Sequence, residues 1–309
     1  MNIAVCTLFE GDYHLGAGAL ANSLHASGFR GTLWAGYRGT LPPWAASATL
    51  EKPGLHRLAV AADFSIAFVQ LETAVHFAYY KPELLERLLN EFAPHAEAAI
   101  YLDPDIVVKC PWEIFPRWVA GGVALVEDLN PNLPARHPLR IAWLQVLAEH
   151  GLVPRRALER YYNSGFIGVP RAHIALLAEW RERMAMIREI LGGHHHIKFG
   201  RATDVFHSTD QDALNLALML TDTPLNTAGP EAMDFAVGGH YLSHAVGTPK
   251  PWQGGFVGRA LRGFPPSTAT KEFFNHACQP FALFPEGQRK RLSLALKTAA
   301  FIGRFQRRA

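Results

Sequence analysis

Asp103-Pro104-Asp105 places two carboxylates two positions apart, directly after the apolar run 98–102. Alternate side chains of an extended segment share a face, so both acids can address one ligand. Neighbouring carboxylates repel unless a cation lies between them. A hard divalent ion relieves that repulsion and still leaves coordination positions for phosphate oxygens. The bland alternative is a solvated turn after a strand. Asp210-Gln211-Asp212 sets a carboxamide between two acids ahead of a helical pattern. Asp210 there is a natural cap for amide hydrogens that would otherwise be orphaned.

The elements that must position these groups read as alternating strands and helices. Residues 3–9 form a buried strand, followed by Leu15, Ala19, Leu20 and Leu24 at helical spacing with Gly28 as a stop. Residues 32–35 and 66–71 suit further strands, and Pro82 opens a helix over 83–92. Strands follow at 98–102, 123–126 and 165–169, with helices over about 174–191 and 212–220. Such alternation implies a parallel sheet, and open α/β sheets bind ligands at the carboxyl ends of their strands, where the two aspartates stand. Residues 192–207 and 254–266 read as loops. Three consecutive histidines, His194 to His196, cannot all face one ion on a regular element, so they read as exposed loop rather than a zinc site. Residues 289–305 form an amphipathic helix.

Composition bounds the function. The chain has 309 residues, 49% apolar and 18% charged, which fits a folded globular protein. Cys6, Cys110 and Cys278 are too few and too scattered for a disulfide framework or a Cys-x-x-Cys site, so a reducing cytosol is expected. No signal peptide and no run of the ~18 apolar residues that span a bilayer is evident. The net charge of +3 resides in the tail, where seven basic residues follow Gln288 without an acid. Basic residues are not spread over a domain with interleaved aromatics, which argues against nucleic acid.

Four ordered segments carry a resemblance. Tyr101-Leu102-Asp103-Pro104-Asp105-Ile106-Val107-Val108, Tyr162-Asn163-Ser164-Gly165-Phe166, Asp210-Gln211-Asp212-Ala213-Leu214-Asn215 and His244-Ala245-Val246-Gly247-Thr248-Pro249-Lys250-Pro251-Trp252 resemble the motifs of family 8 glycosyltransferases, in their bacterial branch. The last segment matches His-x-x-Gly-x-x-Lys-Pro-Trp at every fixed position, and the matches run from the first strand to Trp252. The resemblance implies an α/β fold of GT-A type, a Rossmann-like mixed, mostly parallel sheet flanked by helices. It implies a nucleotide-sugar-binding and catalytic domain over 1–252, with 253–309 supplying acceptor-side loops and a small helical extension.

It further implies that Asp103, Asp105 and His244 hold Mn²⁺ or Mg²⁺. An imidazole beside carboxylates suits Mn²⁺ better. Gly247 and Lys250 are implied diphosphate contacts, Lys81 a basic residue bridging donor and enzyme, and Thr7, Glu10 and Tyr13 part of the base-binding turn. Glu10 stands where relatives usually carry Asp, and Asp12 where Asn is common, so uridine is the implied base with guanosine left open. Asp210 and Gln211 are expected at the anomeric face of the donor sugar, Asp212 at its hydroxyls, and Asn163 and Gly165 at the sugar or acceptor edge. As the sugar-phosphate bond breaks, the metal and Lys250 meet the charge on the diphosphate; Gln211 and nearby carboxylates meet that on the anomeric carbon. Retention of configuration is implied. Trp252 is expected to anchor its loop by burial, and Asp105→Ala to abolish activity in a folded protein.

Three rivals stand beside this reading. Gly16-Ala17-Gly18-Ala19-Leu20-Ala21 formally fits a dinucleotide fingerprint, but it begins well past the tight turn that motif needs, and no acid closes the second strand. These small residues more plausibly seat the first helix close on the sheet. A catalytically inactive nucleotide-sugar-binding protein would keep the fold, and a nucleotidyltransferase would need a glycine- and arginine-rich signature that is missing. The expected partners are a nucleotide-sugar donor and a glycan or lipid-linked acceptor. The tail residues Leu292, Leu294, Leu296, Ala299, Phe301, Ile302 and Phe305 either cover the domain or enter a membrane interface beneath basic side chains. The expected location is cytoplasmic, peripheral at the inner membrane face.

Overall fold

The computed structural model describes residues 1–129, 132–193 and 197–305; the triple histidine lies outside them. In chain order the elements are β1 (Ile3–Glu10), α1 (His14–Ala26), β2 (Gly31–Arg38), β3 (Thr49–Lys52), β4 (Leu55–Ala61), β5 (Phe64–Gln70), α2 (Phe77–Arg87), β6 (Ala98–Leu102), β7 (Ile106–Val108), α3 (Ile114–Ala120), β8 (Val123–Glu127), α4 (Pro138–Glu149), β9 (Tyr162–Pro170), α5 (Ala175–Ile190), α6 (Thr209–Leu220), β10 (Leu225–Ala228), β11 (Leu242–His244), α7 (Phe256–Leu261), α8 (Thr268–Asn275) and α9 (Glu286–Gly303). β1 is buried along all but its last residue and, Thr7 apart, apolar over that length, as a strand covered on both faces must be.

The chain divides into two compact units, Met1–Leu8 with Glu72–Leu102 and Glu113–Glu231, and Phe9–Leu71 with Asp103–Trp112 and Ala232–Ala309. Both sides of position 252 fall in the second unit.

In the first unit the strand order is β10-β8-β9-β6-β1. β6 runs parallel to β1 and β10 to β8, while β9 runs antiparallel to both β6 and β8. Alternation of strand and helix does not determine this reversal, and it matters: register pairs Glu127 with Tyr162 and Leu102 with Phe166. The amino end of β9 thus lies beside the carboxyl ends of β6 and β8. Helix α5 packs against α6 and α2. α2 begins earlier than Pro82 implied, because the His76 side chain accepts the Ala78 N–H at 3.1 Å and caps it. Pro82 is therefore interior, and Lys81 is a buried helix residue rather than a solvated helix start.

In the second unit β2 pairs in parallel with β5, and β4 and β3 extend this group antiparallel. β3 is exposed throughout, so no apolar pattern announces it. β7 and β11 form a separate antiparallel ribbon. Trp252, Phe273, Leu283 and Phe284 make a core with Ala19 of α1 and Val107 of β7. The expected loop 254–266 contains helix α7, whose Phe256 and Ala260 bury against Ala299 of α9; apart from Gly258, the glycines and prolines lie outside the helix. The result is the mixed α/β fold with flanking helices that the sequence implies. Among the described residues no helix is long and apolar enough to cross a membrane.

Candidate functional site

The Asp-Pro-Asp turn connects β6 to β7, closed by the Ile106 N–H donating to the Asp103 carbonyl at 3.0 Å. The ladder of β7 with β11 sets His244 opposite Ile106, and the Ala245 N–H donates to the Asp105 carbonyl at 3.0 Å. Strand pairing thus delivers a distant imidazole to the carboxylates. His244 Nε2 lies 3.2 Å from Asp105 Oδ1 and 3.9 Å from Asp103 Oδ2. One donor atom from each of the three residues falls within 4.8 Å of the others.

Lys250 completes this cluster. Its ammonium donates to Asp105 Oδ2 at 2.5 Å and to the Ala245 carbonyl at 2.8 Å, and sits over the Tyr13 ring. Burial would raise the Asp105 carboxyl, but His244 and Lys250 outweigh it through charge and hydrogen bonds and hold it well below the usual carboxylate range. Burial would likewise lower Lys250, and Asp105 overrides it, so the ammonium is held charged. Asp105 is not a solvent-facing group, contrary to the expectation behind its alanine variant: its side chain is only 6% exposed and tied to a buried cation.

These residues fit a divalent cation. Two ionised carboxylates and one ammonium leave a negative charge uncompensated when the imidazole is neutral. His244 Nδ1 is buried with no hydrogen-bond partner among the described residues, so the ring is oriented by packing against Phe235 and by what Nε2 faces. Oxygen, oxygen and imidazole nitrogen form a donor set that could hold a divalent cation.

The backbone around the turn is unusually close. A Cβ on Gly16 of α1 would overlap the Pro104 carbonyl oxygen and lie 2.9 Å from the Trp252 ring. The small residues of α1 therefore seat it against the Asp-Pro-Asp turn. Trp252 is buried, with edge contact to Tyr13 at 5.3 Å and a tilted contact with Phe273. Gly247 has φ +76°, a conformation that suits glycine, and a Cβ there would meet nothing within 4 Å. Glu10 is held by Arg38 at 2.8 and 2.6 Å, and Asp12 accepts from Gln253 at 3.3 Å. Arg38 drew no attention in the sequence because it follows no motif.

A second polar cluster lies within the first unit, where the amino end of β9 meets the amino end of α6. Ser164 Oγ donates to Asp210 Oδ2 at 2.7 Å, and the Ser164 N–H donates to Gln211 Oε1 at 3.1 Å. Lys81 donates to the Ser164 carbonyl at 3.1 Å, lies 3.6 Å from Asp210 Oδ2 and stacks over Tyr101. Asn163 donates to Asp128 at 2.5 Å and accepts the Gly165 N–H at 2.8 Å. Asn215 closes the join, bonding both backbone groups of Tyr162 at 2.9 Å.

Asp210 makes no capping bond at α6; Asp212 instead reaches back to the segment ahead of the helix. It accepts the His207 and Ser208 N–H groups at 2.8 and 3.0 Å and the Tyr161 hydroxyl at 2.6 Å. Burial pushes its carboxyl up to about 6 against the pull of these donors, and the same burial, with Asp212 beside it, pushes Tyr161 far above its ordinary value. Asp128, Ser164 and Tyr161 are members that sequence reasoning assigned no role. Asp128 alone carried a signal, an acid at the carboxyl end of a strand, like Asp103. Thr7 is fully buried, and its hydroxyl finds no partner among the described residues.

No protein-family model matches the chain, and no curated protein does. Solved structures do. An active-site mutant of LgtC is 16% identical with a TM-score of 0.54, and the galactosyltransferase LgtC in complex with donor and acceptor sugar analogs is 16% identical with a TM-score of 0.52. Each alignment covers 94% of this chain and 100% of the other. At this identity the likeness is one of fold, and it agrees with the GT-A type implied by the motifs.

Proposed function

We propose that the protein is a glycosyltransferase that moves a hexose from a nucleotide-diphosphate sugar, a UDP-sugar, to a glycan or lipid-linked acceptor with retention of configuration. The observation that carries this reading is the β7–β11 ladder, which sets His244 against Asp103 and Asp105. The motif resemblance, the fold shared with a galactosyltransferase and the donor set support the same conclusion. Residues 1–252 are assigned donor binding and catalysis, and 253–309 the acceptor side.

Asp103, Asp105 and His244 would hold Mn²⁺ or Mg²⁺, which when bound would supply Lewis-acid stabilisation to the diphosphate leaving group. Lys250 adds a cation whose tie to Asp105 keeps it protonated, and Gly247 lets backbone approach the phosphates. Thr7, Glu10 and Tyr13 bind the base side, with Arg38 fixing Glu10. Asp210 and Gln211 face the anomeric carbon; Ser164 and Lys81 orient the Asp210 carboxylate by direct contact. Asn163 and Gly165 line the sugar edge, and Asp212, whose oxygens are engaged internally, acts on the sugar hydroxyls through the geometry it imposes on the α6 terminus.

Uridine and guanosine diphosphate sugars are to be screened for donor hydrolysis with Mn²⁺, with Mg²⁺ and with chelator. Turnover with a uridine sugar that chelator abolishes is expected, and Asp103→Asn should lower kcat/KM at least about a hundredfold. Turnover undiminished by chelator or by that variant would refute the assignment.

The tail joins this proposal as a peripheral membrane contact on the cytoplasmic side. Helix α9 covers α7 with Leu292, Leu296, Ala299 and Ile302 and exposes Leu294 and Phe301, with Phe305 exposed just beyond its end. Apolar groups ringed by arginine and lysine suit an anionic lipid surface. Leu294→Ser with Phe301→Ser should weaken sedimentation with anionic liposomes at unchanged melting temperature; unchanged sedimentation would remove the membrane from the account.

A further inference from the structure

Away from the metal cluster, the first unit holds a half-open cavity of about 270 Å³ between the amino end of α4, the segment 154–158 and the carboxyl end of α6. Three arginines, Arg140, Arg155 and Arg156, line it with Ala135, Leu144 and Met219. The surrounding stretch 133–160 carries five arginines against two glutamates, although the chain before its basic tail is net acidic.

Arg140 is the informative member. It is 1% exposed, and its guanidinium donates only to neutral acceptors: the Leu133 carbonyl at 3.1 Å, the Arg160 carbonyl at 3.1 Å and Met219 Sδ at 3.4 Å. Its face rests on Trp143 at 4.6 Å. Among the described residues no carboxylate forms an ion pair with it. Three of its five N–H groups are engaged in these bonds, which leaves two for a ligand.

Buried charges are ordinarily paired. This one is also placed in the first turn of α4, where the aligned helix dipole leaves partial positive charge. The carboxyl end of α6 offsets part of that field. Burial pulls Arg140 down to about 10 despite the nearby Tyr161, Asp212, Tyr162 and Glu159, whose charges act the other way. Arg156 donates through Nε to the Thr221 carbonyl at 2.8 Å, and Arg155 reaches Asp222 across an exposed contact. Both retain guanidinium N–H groups for a further acceptor.

We infer that this arginine-lined cavity is a binding site for a phosphate-type oxyanion, either free or carried on a sugar. Planar guanidiniums match such groups through paired N–H donors, and an anion would give the buried Arg140 the ion pair that the described residues do not supply. Through Met219 the site adjoins the far end of the helix that begins at Asp210-Gln211-Asp212. The inference does not depend on the metal reading.

The test is calorimetric titration of the full chain with inorganic phosphate and with glucose 6-phosphate, in chelator and at constant ionic strength so that the metal centre takes no part. One saturable site is expected, with Kd raised about tenfold or more in Arg155→Gln/Arg156→Gln, whose melting temperature should be unchanged. Tighter binding of glucose 6-phosphate would identify a sugar-borne group, and equal binding a free anion. No saturable heat, or a double variant that binds like the parent, would overturn the proposal.

Discussion

The two polar clusters are built on opposite principles. In the second unit, Asp103, Asp105, His244 and Lys250 are bound chiefly to one another, with an imidazole nitrogen that has no hydrogen-bond partner among the described residues and, when that imidazole is neutral, surplus negative charge. In the first, Asp210, Gln211, Asp212 and Asn163 are anchored by serine, tyrosine, lysine and backbone donors. A cluster whose charges do not balance internally is shaped for an ion or charged ligand. One already saturated is shaped to hold an orientation. Acids of the same type thus meet cationic groups in one place and mostly hydroxyl and amide donors in the other.

The sharpest way to break this comparison is to unbalance the charged cluster. Asp105→Ala strands Lys250 as a buried, unpaired cation, and removing one partner of such a pair costs about 3–5 kcal/mol. Urea denaturation should show that loss, and Asp105→Ala/Lys250→Met should recover most of it. An Asp105→Ala protein as stable as the parent would mean the pair is solvated.

The saturated cluster predicts a pH signature. Asp212 titrates at about 6 in the fold against 3.8 ordinarily, so the native state binds its proton more tightly than the unfolded chain does. Stability from this group is fully present below about 4 and falls as pH rises through 6, by about 3 kcal/mol. Asp212→Asn keeps an oxygen for the His207 and Ser208 amides and should flatten that decline between pH 4 and 6.5. An identical slope in the variant would show that the carboxyl is not the group responsible.

Between these in kind, and smaller, is the packing that supports the metal turn. Gly16→Ala drives a Cβ into the Pro104 carbonyl and Trp252, and overpacking of this sort costs about 1–3 kcal/mol despite the better helix propensity of alanine. Reduced melting temperature together with weakened Mn²⁺ binding is expected. A more stable variant would show that α1 can shift away from the turn freely.

Legibility in the sequence followed the same division. The charged cluster was readable because its members sit in motifs with fixed spacing, His244 among them. What the sequence did not display was the ribbon that unites them, since β7 and β11 are three residues each, too short to show periodicity. Asp128, Ser164 and Tyr161 were harder: each is a polar residue whose role exists only once antiparallel β9 lies beside β8. Pro82 misled because a proline usually opens a helix, while here His76 provides the start. The 254–266 segment misled because its glycines and prolines outweighed Phe256 and Ala260, whose burial is visible only once α9 covers them.

The central claim, that Asp103, Asp105 and His244 form one cation site, is tested most directly by titrating Mn²⁺ and following the free-ion electron paramagnetic resonance signal. The account predicts one site in the parent protein, weakened about tenfold to a hundredfold or more in both Asp103→Asn and His244→Ala. Unchanged Mn²⁺ affinity in His244→Ala would contradict it, leaving the imidazole a packing residue and the two aspartates an ordinary turn.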